Sequence, residues 1–318
     1  MIGTYCSDNI VNIFTHCSTV KEVYTYGQLV WPTGPSYYYV SWLPTNLSGS
    51  FRMEGISYSL QDYNGYFSGF AGVITPSAFG KAGMSYMETN AYSIDSFAFY
   101  RCESLTWASM SKCTYLNSRV FESCWSLSSV YAPKLMSTSY GTFMDCSALS
   151  QISLPLLTQL GQNTFRYCYN LSSVYLPMCK SISADAFNGC RSLSQINLPL
   201  CNYLGAGTFN GCSSLSSVSL PVCVDVRGSA FANCTALSHI ELPVCKSIGA
   251  MTFFNCSLLS RITIGYSDIC SLTDSDAFSG TKVTSSRGSI YVPGSLVNSY
   301  KKATNWSYYS RRIFPIKS

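Results

Sequence analysis

The sequence has few charged residues and almost no histidine. Of its 318 residues, 11% are Asp, Glu, Lys or Arg, and only two, His16 and His239, are histidine. A nucleic-acid-binding solenoid would carry a basic stripe along its repeats, and a metal centre built from imidazoles would need several histidines. The composition therefore predicts no metal, no cofactor and no nucleic-acid partner.

Catalytic signatures are also missing from the sequence. It contains no P-loop, GxSxG, HExxH or dinucleotide-binding pattern, and acidic residues stand singly, as at Asp145, Asp185 and Asp225. His239 occupies a position that equivalent segments fill with Ser, Gln or Arg. We predict that the chain is not an enzyme.

Long hydrophobic runs do not occur either. No apolar run reaches the roughly 20 residues that a membrane helix needs. The first residues, MIGTYCSDNIVNIF, lack the basic start and apolar segment of a secretion signal. We expect no membrane insertion and no export by the signal-peptide route.

What the sequence does have is a strict repeat. Eight cysteines recur every 22 residues, and a period of this size is typical of a solenoid. They are Cys102, Cys124, Cys146, Cys168, Cys190, Cys212, Cys234 and Cys256. Each is preceded three residues earlier by Phe, from Phe99 to Phe253, and followed three residues later by Leu, from Leu105 to Leu259. Every coil is thus expected to add one Phe and one Leu to a shared core.

Each repeat also contains a short strand pattern. Six and eight residues after the Cys stand aliphatic residues such as Ile152 and Leu154, an alternation that predicts a strand with one buried face. A proline such as Pro155 follows at once and ends the strand. The predicted fold is a solenoid of 22-residue leucine-rich-type repeats, with one short parallel strand per coil and a back segment.

The cysteines are interpreted as buried, reduced packing residues. A second set, Cys113, Cys179, Cys201, Cys223 and Cys245, occupies a position that is Leu135 and Leu157 in other repeats, which is typical of an apolar site. Equivalent cysteines in stacked coils point the same way, a geometry unsuited to disulfides, although a few disulfides remain an alternative. Cys6 and Cys17 lie outside the repeats, and their redox state is left open.

Two rows of residues, five and seven positions after each Cys, should face solvent on the sheet. They form the candidate binding surface, to which Tyr, Gln, Asn and Ser bring hydrogen bonding and ring stacking for a glycan or a protein. The same rows can equally be the solvated face of a sheet. They are Ser129, Tyr131, Gln151, Ser153, Ser173, Tyr175, Gln195, Asn197, Ser217, Ser219, His239, Glu241, Arg261 and Thr263.

The two ends differ from the repeats and divide the chain into three parts. Residues 1–83 lack the period and read as a small β-rich region for attachment or capping, and residues 84–281 form the solenoid. Residues 282–318 carry seven Lys or Arg and no Asp or Glu, and read as a basic strand-helix cap with Leu296, Val297 and Tyr300 inward.

The repeat pattern C-x-x-L-x-x-V/I-x-L-P, followed by A/T-F-x-x-C, resembles the BspA-like (Treponema pallidum-type) leucine-rich repeats. The ending IYVPGSLVNSYKKATNWSYY is similar to that family's C-terminal cap, and together these segments span about residues 84–318. The segment VKEVYTYGQLVWP is similar to hairpins that open structural proteins of gut phages and prophages. The family resemblance implies adhesion to proteins, glycans or cells, without shared catalytic residues.

Two functional hypotheses follow. In the first, the chain is a phage tail or head fibre component in the virion that contacts a bacterial surface protein or glycan and joins other virion proteins, or a second copy, through residues 1–83. In the second, it is a protein-interaction scaffold of a bacterial cell, placed in the cytoplasm or at the cell surface by a non-classical route. The identity of the ligand, the oligomeric state and the source stay open.

Overall fold

A computed structural model describes residues 85–285 and 287–317 in full, together with the backbone of five earlier strands. Those five strands are β1 (Glu22–Thr25), β2 (Gly49–Met53), β3 (Ile56–Leu60), β4 (Tyr66–Phe70) and β5 (Val73–Ile74). Cys6, Cys17 and His16 lie outside the described residues. The proposed division of the chain at residues 83/84 and 281/282 stays a prediction.

One strand per coil lies on the face that we call the front sheet. Each of these strands is three or four residues long, as the alternation and the following proline predict. The strands are β6 (Tyr86–Thr89), β8 (Trp107–Met110), β10 (Ser129–Tyr131), β12 (Gln151–Ser153), β14 (Ser173–Tyr175), β16 (Gln195–Asn197), β18 (Ser217–Ser219), β20 (His239–Leu242), β22 (Arg261–Ile264) and β24 (Ser289–Val292), with β25 (Ile313–Pro315) at the end. Neighbours from β6 to β25 pair in parallel wherever a ladder joins them, so the fold is the expected solenoid.

Each coil from β6 to β22 also carries a second strand of two residues, which the sequence pattern did not reveal. These strands form a continuous parallel ladder with β5, which we call the second sheet. They are β7 (Ser93–Ile94), β9 (Tyr115–Leu116), β11 (Ser137–Thr138), β13 (Gln159–Leu160), β15 (Ser181–Ile182), β17 (Tyr203–Leu204), β19 (Asp225–Val226), β21 (Ser247–Ile248) and β23 (Ser271–Leu272). In eight of these nine strands the second residue is aliphatic and buried, and in β11 the buried residue is Thr138, which explains why an aliphatic residue recurs at this position.

The core is a stack of identical layers. The Phe rings from Phe99 to Phe278 are fully buried, and rings in adjacent coils lie 5.2 to 5.5 Å apart between centroids in stacked geometry. Burying a side chain of this size stabilises the fold by about 1.5 to 3 kcal/mol. Because no coil can bury its own Phe and Leu alone, each depends on its neighbours.

Close backbone contact explains why glycine recurs after the second strand in alternate coils. A Cβ atom on Gly161 would lie 2.2 Å from the Ser139 carbonyl oxygen of the preceding coil. A Cβ atom on Gly249 would likewise lie 2.2 Å from the Gly228 nitrogen. A side chain at either position would push two coils apart.

The C-terminal cap follows β24. A 3-10 turn (Gly294–Leu296) leads into helix α1 (Val297–Lys302), and a second 3-10 segment (Trp306–Arg312) precedes β25. Tyr300 is buried, and Leu296 and Val297 pack against the core, so the predicted inward face of the helix is confirmed. Among the described residues, no helix has the length and apolar character to cross a membrane.

Candidate binding face

The fourteen predicted surface residues lie together on the front sheet. Thirteen are exposed, and Thr263 is half-buried. The ladders hold equivalent residues side by side, so that Gln151 pairs with Ser173 and Ser153 with Tyr175. The exposure agrees with the strand alternation, whereas a binding role for these residues stays a prediction.

Aromatic residues occupy the N-terminal half of this face. Tyr131 and Tyr175 lie two coils apart in the same row and are 54% and 57% exposed. The sequence analysis missed two further aromatic residues that continue the face, Trp107 and Tyr86, which pair with each other in adjacent strands. Trp107 could have been found, because it stands five residues after Cys102 like the other members of its row.

The C-terminal half of the face carries ionic groups instead. His239 and Glu241 are exposed on β20, and the His239 Nδ1 atom lies 3.1 Å from the Ser238 hydroxyl. Arg261 places its guanidinium carbon 5.1 Å from the centre of the Tyr291 ring, a cation–π contact with the next strand. Tyr291 on β24 continues the row beyond Thr263, its register partner.

The half-buried Thr263 is the one departure from the predicted pattern. Its Oγ1 atom is buried and has no hydrogen-bond partner in the structure. A hydroxyl in this condition contributes little to recognition of a ligand, since it is already withdrawn from solvent. The accessible residues of the predicted set therefore run from Ser129 to Arg261.

The cysteines lie away from this face. All fourteen cysteines among the described residues are buried thiols that form no disulfide. From Cys124 to Cys256, each thiol of the first row donates to the carbonyl oxygen of the Phe in the preceding coil, at 3.0 to 3.1 Å. Five thiols of the second row donate to a carbonyl two residues further along, as Cys179 does to Ser181 at 3.4 Å.

Burial also suppresses the reactivity of the thiols. Removal from water raises the pKa of Cys113 and Cys201 to about 11 and that of Cys179 and Cys256 to about 12. Since the thiolate is the nucleophile and the metal ligand, these side chains suit packing better than chemistry. Within residues 85–285 and 287–317, no three His, Cys, Asp or Glu residues are grouped as a metal site.

Comparison with known proteins places the repeats in a described group. The profile for "BspA type Leucine rich repeat region (6 copies)" matches residues 73–193 and 180–303. No curated protein matches the chain.

Several solved structures are similar to this chain. A leucine-rich cell surface protein of Faecalibacterium prausnitzii is 16% identical, with a TM-score of 0.36, and the match covers 82% of this chain and 97% of that one. The leucine-rich repeat protein of T. pallidum is 24% identical, with a TM-score of 0.39, over 64% of this chain and 87% of that one. The pneumococcal vaccine antigen PcpA is 13% identical, with a TM-score of 0.28, over 85% and 99%.

Proposed function

The chain belongs to the BspA-type leucine-rich repeat family, and we propose on that premise that it is a non-catalytic binding protein whose front sheet contacts a bacterial surface. The observation that carries this proposal is the pair Tyr131 and Tyr175, each more than half exposed at equivalent positions of a rigid sheet. Exposed aromatic rings held by the backbone supply contact area at a small cost in conformational entropy. Exposed Gln and Asn side chains beside them add hydrogen-bond donors and acceptors.

The distribution of residues favours an uncharged polar ligand such as a glycan. Between β10 and β18, the ten residues of the two exposed rows include no charged side chain. Sugar rings stack on aromatic faces and exchange hydrogen bonds with amides and hydroxyls, whereas a strongly charged ligand would call for ionic partners. A protein surface bearing similar groups is the second ligand class that suits these rows.

The test is binding of the labelled full-length chain to a panel of gut bacterial cells. We expect the wild-type protein to bind at least one strain, and the double variant Tyr131→Ala/Tyr175→Ala to bind at least about tenfold more weakly. The control is Tyr308→Ala, because Tyr308 is 72% exposed but lies in the cap rather than on the front sheet. It removes a ring of the same kind and should leave binding unchanged.

Two outcomes would redirect the proposal. Binding that the double variant retains would move the contact away from Tyr131 and Tyr175. No binding to any cell, combined with capture of one specific protein from a bacterial lysate through the front sheet, would favour the intracellular scaffold.

We also propose that the chain is a virion component, such as a tail or head fibre, which residues 1–83 attach to other virion proteins. Support comes from the likeness of VKEVYTYGQLVWP to hairpins of phage structural proteins. Mass spectrometry of purified phage particles from the source should detect the chain. Its presence in cells together with its absence from particles would contradict the virion assignment and leave the binding role standing.

A further inference from the structure

One edge of the solenoid is apolar and exposed over five consecutive coils. Ten residues after each repeat Cys, at the turn between the front and second sheets, stands a Leu, Met or Val side chain that is 38 to 48% exposed. We call this row the edge ridge, and its members are Leu156, Met178, Leu200, Val222 and Val244. Since each is one 22-residue repeat from the next, the row runs along the stack.

The edge ridge contrasts with the front sheet beside it. The exposed rows of the front sheet are filled mainly by Ser, Gln, Asn and Tyr, whereas the ridge contains no polar residue from Leu156 to Val244. A partly exposed proline precedes each member, from Pro155 to Pro243, and widens the apolar strip. Apolar surface of this extent marks an interaction site more often than single exposed residues do.

The order of side chains along the edge ridge would allow the ridges of two copies of the chain to pack against each other. A two-fold axis through Leu200 would place Met178 opposite Val222 of the other copy, and Leu156 opposite Val244. Each pair then joins a larger side chain to a smaller one, and Leu200 meets its own equivalent. Such self-complementarity is what an isologous two-fold interface requires.

The charged residues at the two ends of the ridge favour antiparallel over parallel packing of the two copies. Three coils before Leu200 the row continues with the exposed Lys134, and three coils after it with Tyr266, followed by the exposed Asp268. Antiparallel packing brings Lys134 of one copy to the end that carries Asp268 of the other. Parallel packing would set Lys134 against Lys134, which is repulsive.

The neighbouring row places one more positive charge at the end that carries Asp268. Two positions beyond the ridge stand the exposed Lys180 and Lys246, and the same axis places them opposite Val224 and Thr158 rather than opposite each other. The Lys246 Nζ atom lies 5.3 Å from the centre of the Tyr266 ring, so it stands beside Asp268 at the end that receives Lys134 and offsets part of that attraction.

The available area sets the strength of the contact. Five side chains that are each less than half exposed, with the prolines beside them, supply less area than the roughly 800 Å² per partner of a standard interface, so the contact should be weak and reversible. We therefore propose that the edge ridge is the contact of a reversible antiparallel dimer of this chain, with its two-fold axis at Leu200. The front sheets of both copies would remain free, which would give the assembly two binding faces.

Sedimentation velocity of the full-length chain between about 1 and 200 µM tests the dimer, because a mass-action equilibrium shifts over such a range. We expect wild-type protein to move from monomer towards dimer as concentration rises. Leu200→Glu sets two carboxylates against each other at the axis and should weaken dimerisation by at least about tenfold. Ser214→Glu makes a charge change of the same sign at an exposed position outside the edge ridge and the front sheet, and should leave association unchanged.

A charge exchange distinguishes the antiparallel contact from any other. Asp268→Lys alone should weaken the dimer severalfold, since it leaves only positive charges where Lys134 of one copy meets Lys246 of the other, and Lys134→Glu combined with Asp268→Lys should restore it. Both residues are exposed, so neither change disturbs the core. A chain that stays monomeric throughout, a dimer that Leu200→Glu does not affect, or a double variant that fails to recover would each overturn the proposal.

Discussion

In the central coils the backbone of each second-sheet strand meets the backbone of the next coil, whereas at the C-terminal end it meets side chains. The Lys246 and Ile248 carbonyl oxygens accept from the amides of Ser271 and Thr273, at 2.8 and 3.0 Å. One coil later the equivalent carbonyls have no following strand. The Cys270 oxygen accepts from the Trp306 indole at 2.6 Å, and the Leu272 oxygen accepts from the Asn305 amide at 2.8 Å.

At the end of the aromatic stack, side chains of the cap likewise take the place of the next Phe ring. Phe253 lies parallel to Phe278, with 5.5 Å between ring centroids, but no tenth Phe continues the stack among the described residues. Trp306 and Tyr309 of the cap pack on Phe278 instead, at 5.9 and 5.1 Å, in tilted and edge-on geometry. The comparison shows that the cap supplies, group by group, the contacts that a further coil would have made.

The thiol row also stops at the last coil. Thr281 stands where earlier coils have Cys, and its hydroxyl donates to the Phe278 carbonyl of its own coil at 2.7 Å. The thiols from Cys124 to Cys256 donate instead to the coil before them. The central coils are therefore joined by titratable groups, which the last coil lacks in this row.

Of the predicted changes in stability, the loss at alkaline pH should be the largest, because the thiols that titrate lie in the central coils. Burial raises the pKa of the thiols, for example to about 11 for Cys113 and about 12 for Cys179. Their stabilising contribution is complete below pH 9, near the value of an unfolded thiol, and is lost as pH rises towards the folded values. The exception is Cys245, whose pKa is lowered by a hydrogen bond from the Cys270 thiol.

At pH 10 each thiol with a raised pKa should have lost roughly 1.4 kcal/mol, and these thiols together on the order of 10 kcal/mol, comparable to the whole stability of a domain. Urea unfolding followed by circular dichroism at pH 7.5, 9 and 10 measures the loss. The matched control is Cys179→Leu, since Leu135 and Leu157 occupy the same position in other coils. This variant should reduce the pH dependence of the unfolding free energy by the contribution of one thiol. An unfolding free energy that stays constant up to pH 10 would contradict the assignment of the cysteines as buried thiols with raised pKa values.

Removing one ring from the central stack should have the next largest effect. In Phe187→Ala, the contacts at 5.4 Å to Phe165 and 5.3 Å to Phe209 are lost, and a cavity forms between two coils. We expect a loss of about 3 to 5 kcal/mol. Because stability in a solenoid passes from neighbour to neighbour, thermal unfolding should also lose its single cooperative transition. Phe187→Leu, which keeps most of the volume, should unfold more like wild type, and an unchanged melting curve for the alanine variant would exclude the stack.

At the cap, Trp306→Phe should have a smaller and local effect. The ring is kept, but the indole donor to the buried Cys270 carbonyl is removed, which costs about 1 to 3 kcal/mol for an unsatisfied group. Hydrogen exchange should accelerate in residues 265–281 and in the cap, and should stay as in wild type in the coils from Phe99 to Cys234. Uniform acceleration along the chain would mean that the cap and the central coils form one unit. Tyr308→Phe, at an exposed position of the same segment, is the control.

The regularity of the central coils explains how much could be predicted from the sequence. Cys146 and Cys168 have the same neighbours in consecutive coils, so one pattern of 22 residues carries the information for all of them. The second sheet was missed because a strand of two residues, such as Gln159–Leu160, is too short to show an alternation. The hydrogen bonds of the cap join residues 33 and 36 positions apart and leave no local pattern.

The smallest predicted loss of stability is at Asn305, where two variants distinguish the contribution of the backbone conformation from that of the side-chain hydrogen bond. This residue has a positive φ of 65°, a conformation that glycine adopts without strain, and its amide donates to the Leu272 carbonyl. Asn305→Gly keeps the backbone conformation available and removes only the donor, so we expect a loss of about 0.5 to 1.5 kcal/mol in urea unfolding. Asn305→Ala removes the same donor and adds strain at the positive φ, and should lose more. If the two variants have equal unfolding free energies, the hydrogen bond alone determines the contribution of Asn305. If Asn305→Gly is as stable as wild type, the Asn305 side chain does not take the place of the backbone donor that a further coil would supply.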